Sequence, residues 1–138
     1  MKGLFAACNL KDPDVDLLQN RFLNRSMFGI VLSEGGLCFS YFSEFGSGDK
    51  LIKRGVGYLC VFEESFLSGL LSKRVLELPM FAAGSGLEYV LSGRDHEKAT
   101  HLFLRMIDEQ HSSYQYKFDL IRTYLTQMLH LVMKMGYG

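Results

Sequence analysis

The chain has 138 residues, of which 48% are apolar and 22% are charged, a balance typical of a globular domain. Its 15 basic and 15 acidic residues give a net charge of zero, which argues against a free-standing nucleic-acid-binding protein, since such a protein normally carries a basic face. No apolar run reaches the length of a membrane span, and too few residues precede Cys8 for a secretory signal. We therefore expect one domain, 1–138, without membrane contact.

The N-terminal segment, 1–25, is predicted to be an arm outside the main fold. Its clearest signal is a turn at Lys11–Asp14, because proline fixes its own φ and aspartate hydrogen-bonds to nearby backbone. Asp16–Leu23 fits either a short helix or an irregular segment.

The next zone, 26–62, predicts β-structure, because short apolar runs alternate with glycine-rich turns. The candidate strands are Met27–Leu32, Leu37–Phe42, a third that begins at Leu51 and Ile52, and Gly57–Phe62. Turns at Glu34–Gly36 and Gly46–Asp49 separate the first three. This pattern indicates a short antiparallel sheet or a partial cupin-like barrel.

The last zone, 63–138, is predicted to be helical, and with the strands before it gives an α+β fold. Glu63–Leu67 opens a short helix, and Leu76–Tyr89 is predicted to be an irregular connector. Ser92 is the expected N-cap of an amphipathic helix. The apolar residues of that helix recur at helical spacing: Ala99, Leu102, Phe103, Met106 and Ile107.

A final helix is predicted to begin at Ser112–Gln115, which has the spacing of a capping box. Its apolar stripe advances in alternating steps of three and four residues, as in a coiled coil: Phe118, Ile121, Leu125, Met128, Val132 and Met135. Further apolar residues widen the stripe, so the helix must be covered on two sides. We expect the first five residues of the stripe to contact a second copy in a homodimer. The alternative is a helix buried entirely within one domain.

No constellation of residues predicts catalysis, a metal or another cofactor. Metal sites of cupin-type barrels use histidine and carboxylate ligands on neighbouring strands, but all four histidines lie in the helical zone: His96, His101, His111 and His130. Gly84–Gly86 lacks the spacing of a serine nucleophile elbow. The three cysteines form no CxxC pair, which fits a reducing cytoplasm.

Apolar and aromatic residues recur in Gly57–Leu67, Leu78–Phe81, Tyr89–Ser92 and Gln115–Leu125 in a pattern that resembles AraC-type bacterial transcription regulators. Gly57–Leu67 is similar to the segment in which the last strand of that family's sensing barrel runs into a short helix. Leu78–Phe81, Tyr89–Ser92 and Gln115–Leu125 resemble the connector and the helical pair behind the barrel. The resemblance covers roughly Phe39 to Met135. The strand zone is shorter than the family's barrel, and the family's Pro-Gly-x-x-His turn is missing.

The resemblance implies a cytoplasmic regulatory domain that dimerises through its helices and binds a small-molecule effector among its strands. DNA would be contacted only through a domain expected to begin near Met135–Gly138, where the chain stops. The candidate ligand contacts are aromatic residues of the strands, for which core packing is the alternative: Phe39, Tyr41, Phe42 and Tyr58. Two other hypotheses remain: an interaction module without a ligand, and a small cupin-type enzyme, against which the lack of strand histidines counts.

Overall fold

Five strands form one antiparallel sheet in the computed structural model, which describes residues 4–11, 27–42, 56–71, 74–82 and 87–137. The strands are β1 (Phe5–Asn9), β2 (Met27–Leu32), β3 (Gly36–Phe42), β4 (Tyr58–Phe62) and β5 (Leu87–Val90). Their order across the sheet is β1-β4-β2-β3-β5, so the sheet is open and β1 and β5 form its edges. The predicted α+β class is confirmed, with an open sheet in place of a cupin-like barrel.

Helices follow the fourth strand. Two 3₁₀ turns, Glu64–Leu67 and Val75–Glu77, precede a short helix, α1 (Pro79–Ala82). After β5 come the two long helices, α2 (Gly93–Gln110) and α3 (Lys117–Tyr137), which pack against each other. None of the described helices combines the length and the apolar character needed to cross a bilayer.

The N-cap of α2 is where the sequence predicts it. The Ser92 hydroxyl accepts a hydrogen bond from the backbone N–H of Asp95, which satisfies one of the free donors at the helix start. The start of α3 differs from the prediction, because the Ser112 hydroxyl donates to the Glu109 carboxylate (2.6 Å) at the end of α2. The chain makes a turn after that contact, and α3 begins only at Lys117.

The sequence-based prediction was wrong for both edge strands, because it placed their residues outside the sheet. Phe5–Asn9, predicted as part of an arm, pairs along its whole length with β4. Leu87–Val90, predicted as part of a connector, pairs with β3. Both segments are short, and pairing with a central strand overrides their weak local signals. The third candidate strand at Leu51 and most of the N-terminal arm lie outside the described residues.

The main core lies between one face of the sheet and the two long helices. Aromatic rings dominate its centre: Phe28 stacks on Phe62 with ring centroids 5.6 Å apart and meets the ring of Phe81 edge-on at 4.8 Å. Phe103 and Met106 bring α2 into the same cluster. A smaller cluster fills the opposite face of the sheet: Leu10, Met27, Val31, Leu59 and Val61. The sheet is therefore apolar on both faces, as β2, buried at every residue, already indicates.

Two glycines, the first residue of β3 and the residue before β4, adopt a conformation that other residues rarely adopt. Gly36 has φ +153° and Gly57 has φ +146°. A Cβ atom would lie 1.9 Å from the Tyr89 carbonyl oxygen at the first position and 2.0 Å from the Leu32 carbonyl oxygen at the second. Both positions thus require glycine for backbone geometry and for close approach of a neighbouring strand.

Candidate interaction groove

The first predicted ligand contact, Phe39, lies inside the core. Its side chain is fully buried, and its ring meets Phe81 and Tyr89 edge-on at centroid distances of 5.4 and 5.7 Å. Aromatic pairs at these distances are ordinary core contacts. Phe39 thus has the packing role that the sequence left as its alternative.

Two further predicted contacts, Tyr41 and Tyr58, are half-buried against the same core. The Tyr41 ring lies 4.8 Å from Phe28, and the Tyr58 ring stacks on Phe103 at 5.8 Å. The fourth candidate, Phe42, ends β3, and its side chain is outside the described part of the structure. Because the described rings fill the core, they do not by themselves form a cavity, and effector binding among the strands stays a prediction.

The predicted dimer stripe of α3 is corrected by its burial. Four of its side chains are buried in the core of the single chain: Ile121, Leu125, Met128 and Val132. Residues of the same domain already cover them, so they have no surface to offer a second copy. Phe118, by contrast, is 45% exposed and packs edge-on against Phe66 at 6.5 Å. Four of the five predicted contacts thus belong to the buried face of α3, whereas contact of Phe118 with a second copy stays a prediction.

A groove of about 1050 Å³ runs along the solvent side of α2 and α3. Its apolar floor consists of three partly buried side chains, Leu102 from α2 and Tyr124 and Leu131 from α3. Met135 lines the same groove and is exposed. The two helices position these residues because steps of three, four and seven along a helix return to one side of it.

Cations predominate around this floor. Lys98 and Arg105 project from α2 and Lys134 from α3, all three exposed, and among the described residues Asp95 is the single acidic one that lines the groove. The Arg105 guanidinium carbon lies 6.0 Å from the centre of the Tyr124 ring, within reach of a cation–π interaction. The groove therefore combines apolar floor with positive rim.

Two histidines, His101 and His130, are exposed at opposite walls of the groove. They are not part of a metal site: among the described residues no three His, Cys, Asp or Glu side chains are grouped so as to hold an ion. His96 has a structural role, since its Nε2 lies 2.7 Å from the Ser33 carbonyl oxygen and ties α2 to the β2–β3 turn.

A second, smaller groove of about 460 Å³ lies on the other side of α3, and Gln127 and His130 line both grooves. Its cation, Arg122, is already engaged within the domain. The Arg122 side chain donates to the Phe66 carbonyl oxygen (2.7 Å) and to Asp119 (3.1 Å), and its guanidinium lies 4.4 Å from the Phe66 ring centre. This groove thus lacks the uncommitted positive charge of the larger one.

The buried thiol of Cys60 is unsuited to nucleophilic chemistry. The side chain is fully buried in β4, and burial raises its pKa far above the ordinary value, with a smaller contribution from the charge of Cys8. A thiol held in its protonated form is a poor nucleophile. Cys60 is therefore a core residue.

Sequence analysis missed the groove because it assigned Leu102 to a buried face. The available signal was the polar spacing on that side of α2, where Asp95, Lys98, Leu102 and Arg105 follow one another at helical intervals. Such spacing is usual for a solvated face, and only the position of α3 beside it creates a groove.

Comparisons with family models, with curated proteins and with solved structures find no match for this chain.

Proposed function

We propose that this chain is a non-catalytic interaction domain that binds an acidic amphipathic helix of a partner protein in the groove between α2 and α3. The observation that carries the proposal is the apolar floor, Leu102, Tyr124 and Leu131, open to solvent between positively charged walls. Helix-in-groove recognition uses this combination, in which an apolar stripe provides contact area and charges at its margins provide orientation.

The charge of the groove favours an acidic occupant. Lys98, Arg105 and Lys134 outnumber Asp95 at its walls, although the chain as a whole is neutral. A local excess of one charge in a neutral protein steers a partner of the opposite charge towards that surface. A basic or uncharged helix would make the apolar contact but would lack the attraction between opposite charges.

The length of the groove fits a helix of about three turns. Its α2 wall extends from Asp95 to Arg105 and its α3 wall from Tyr124 to Met135. At a rise of 1.5 Å per residue, each wall is about 15 Å long. A third helix laid along α2 and α3 would bury Leu102 and Leu131 beneath apolar residues at spacings of three and four.

A regulatory role of the AraC type, with or without an effector, is compatible with this proposal. Regulation by a domain that does not touch DNA requires contact with another protein surface, which the groove supplies. A cytoplasmic location belongs to the same proposal, because Cys8, Cys38 and Cys60 are all present as thiols and thiols persist in a reducing compartment.

The proposal is tested by titrating the ¹⁵N-labelled chain with a synthetic helix of leucine, glutamate and alanine, followed by NMR. We expect chemical-shift changes along Asp95–Arg105 and Tyr124–Met135, and weaker binding of a twin peptide that carries lysine in place of glutamate. Absence of binding, changes centred elsewhere, or equal affinity for both peptides would contradict it.

A matched pair of variants separates the groove from the rest of α2. Leu102→Ser removes an apolar contact from the groove floor, whereas Leu104→Ser alters a 42% exposed leucine of the same helix that does not line the groove. We expect the first to weaken peptide binding roughly tenfold, or about 1.4 kcal/mol, and the second to leave it unchanged. Equal effects of the two substitutions would also contradict the proposal.

A further inference from the structure

The sheet has two edges, and the edge at β1 is covered. The backbone N–H of Ala7 donates to Gln110 Oε1 (3.1 Å), and Gln110 Nε2 donates to the Ala7 carbonyl oxygen (2.6 Å). The side-chain amide of Gln110 thus takes the place that the peptide group of an adjacent strand would take. Another strand could pair at Ala7 only after displacing it.

No residue in the described part of the chain covers the edge at β5 in this way. Tyr89 pairs with Leu37 of β3, and the N–H of Leu91 donates to the Gly35 carbonyl oxygen (3.3 Å). Antiparallel strands direct the backbone groups of alternate residues to opposite sides, so those of Glu88 and Val90 point away from β3. No other residue in the described ranges hydrogen-bonds to them.

The side chains of this edge leave it open. Val90 is 75% exposed and Glu88 is exposed as well. Proteins usually protect a solitary edge with lysine, proline, a bulge or a covering segment. The sequence of β5, Leu87-Glu88-Tyr89-Val90, contains neither lysine nor proline, so nothing among the described residues blocks its backbone from another strand.

We propose that β5 pairs antiparallel with β5 of a second copy of the chain, so that one sheet continues across both copies. The pairing is self-complementary when its two-fold axis passes Tyr89, because Glu88 then lies opposite Val90 of the partner subunit and each pair exchanges two backbone hydrogen bonds. A shift towards Glu88 would place two carboxylates directly opposite, which is destabilising. Charge therefore disfavours the register centred on Glu88, and the register centred on Tyr89 is the one proposed.

This contact replaces the one expected from the α3 stripe, and it is independent of the proposed function. Glu88 and Val90 do not line the groove between α2 and α3. Failure of the edge pairing would therefore leave peptide binding in the groove untouched, and failure of peptide binding would leave the dimer untouched.

The test is the solution mass of the purified chain, measured by sedimentation over a wide range of concentrations, for the wild type and two edge variants. Val90→Glu keeps the backbone donor but places a second carboxylate opposite Glu88 of the partner subunit, and Val90→Pro removes an N–H that points away from β3. Val56→Glu is the matched control, because Val56 is 57% exposed but lies in the turn before β4.

We expect a concentration-dependent dimer whose Kd rises roughly tenfold or more in both edge variants and stays constant in the control. A wild type that is monomeric at every concentration, or a dimer that both edge variants leave intact, overturns the proposal. Circular dichroism establishes that each variant is folded.

Hydrogen exchange of the wild type provides a second measurement, which needs no variant. Protection of the Glu88 and Val90 amides that grows with protein concentration supports the pairing, and protection that is independent of concentration overturns it. In a mixed sample of labelled and unlabelled chains, a contact between the two Tyr89 α-protons is expected for this register. A dimer without that contact also overturns the proposal.

Discussion

Gln110 at the end of α2 hydrogen-bonds to both backbone groups of Ala7 in the edge strand β1. The two residues lie 103 positions apart in sequence, so this pair fastens the N-terminal strand to the last turn of a helix formed much later in the chain. It also closes one edge of the sheet.

Loss of this closure should destabilise the protein. Gln110→Ala removes two hydrogen bonds, each worth about 0.5–1.5 kcal/mol, and we expect a loss of roughly 1–3 kcal/mol in the free energy of unfolding. Urea denaturation measures it, with the exposed neighbour in His111→Ala as control. A Gln110→Ala protein as stable as the control would contradict the structural role of the pair.

The two strand-opening glycines should not tolerate a side chain. Gly36→Ala and Gly57→Ala each place a Cβ against a backbone oxygen of the neighbouring strand, and the backbone conformation alone costs about 1–3 kcal/mol. Gly35→Ala is the matched control, because a Cβ there meets nothing within 4 Å. The midpoints of thermal unfolding compare the three variants. Equal midpoints would contradict the close contact of Gly36 and Gly57 with the backbone oxygens of the neighbouring strands.

Burial of the α3 stripe predicts its effect on stability. Leu125→Ala creates a cavity in the core, and we expect a loss of about 2–5 kcal/mol. Phe118→Ala affects a half-exposed ring and should cost distinctly less. Chemical denaturation, with sedimentation of both variants, tests this. A Leu125→Ala chain that keeps its stability but changes its oligomeric state would restore the stripe as an interface.

The buried thiol predicts a loss of stability at high pH. The pKa of Cys60 is raised in the folded chain, so above about pH 8.5, the ordinary thiol pKa, the folded state holds a proton that the unfolded state releases. Stability should fall by up to about 1.4 kcal/mol per pH unit there, and this contribution is fully present below that pH. Cys60→Ala should show a shallower fall between about pH 8.5 and 10 than the wild type. Parallel curves would contradict burial of the thiol.

The central strands could be predicted from sequence because their signals are local. β2 is an unbroken apolar run, and the turn that follows it at Glu34–Gly36 is rich in glycine. The edge strands β1 and β5 could not be predicted in this way, because their β-structure depends on pairing with β4 and β3, which lie far away in sequence. Ser92 was predictable as a cap since a cap depends only on the residues of the next turn.

The periodicity of α3 predicted the buried positions in the middle of the helix, but not what buries them. A stripe such as Ile121, Leu125 and Met128 looks the same whether the covering surface belongs to a second copy or to the same sheet. The groove was hidden for a related reason. Its floor and walls come from two helices, and the distance between Leu102 and Tyr124 in sequence carries no signal of their proximity.

The central claim is that the groove between α2 and α3 selects an acidic helix, and a charge exchange tests it most directly. Isothermal titration would compare the wild type with the double variant Arg105→Glu/Lys134→Glu, each against the glutamate peptide and its lysine twin. We predict that the wild type prefers the glutamate peptide and that the double variant prefers the lysine peptide. Two proteins with the same preference, or with no binding of either peptide, would contradict the account.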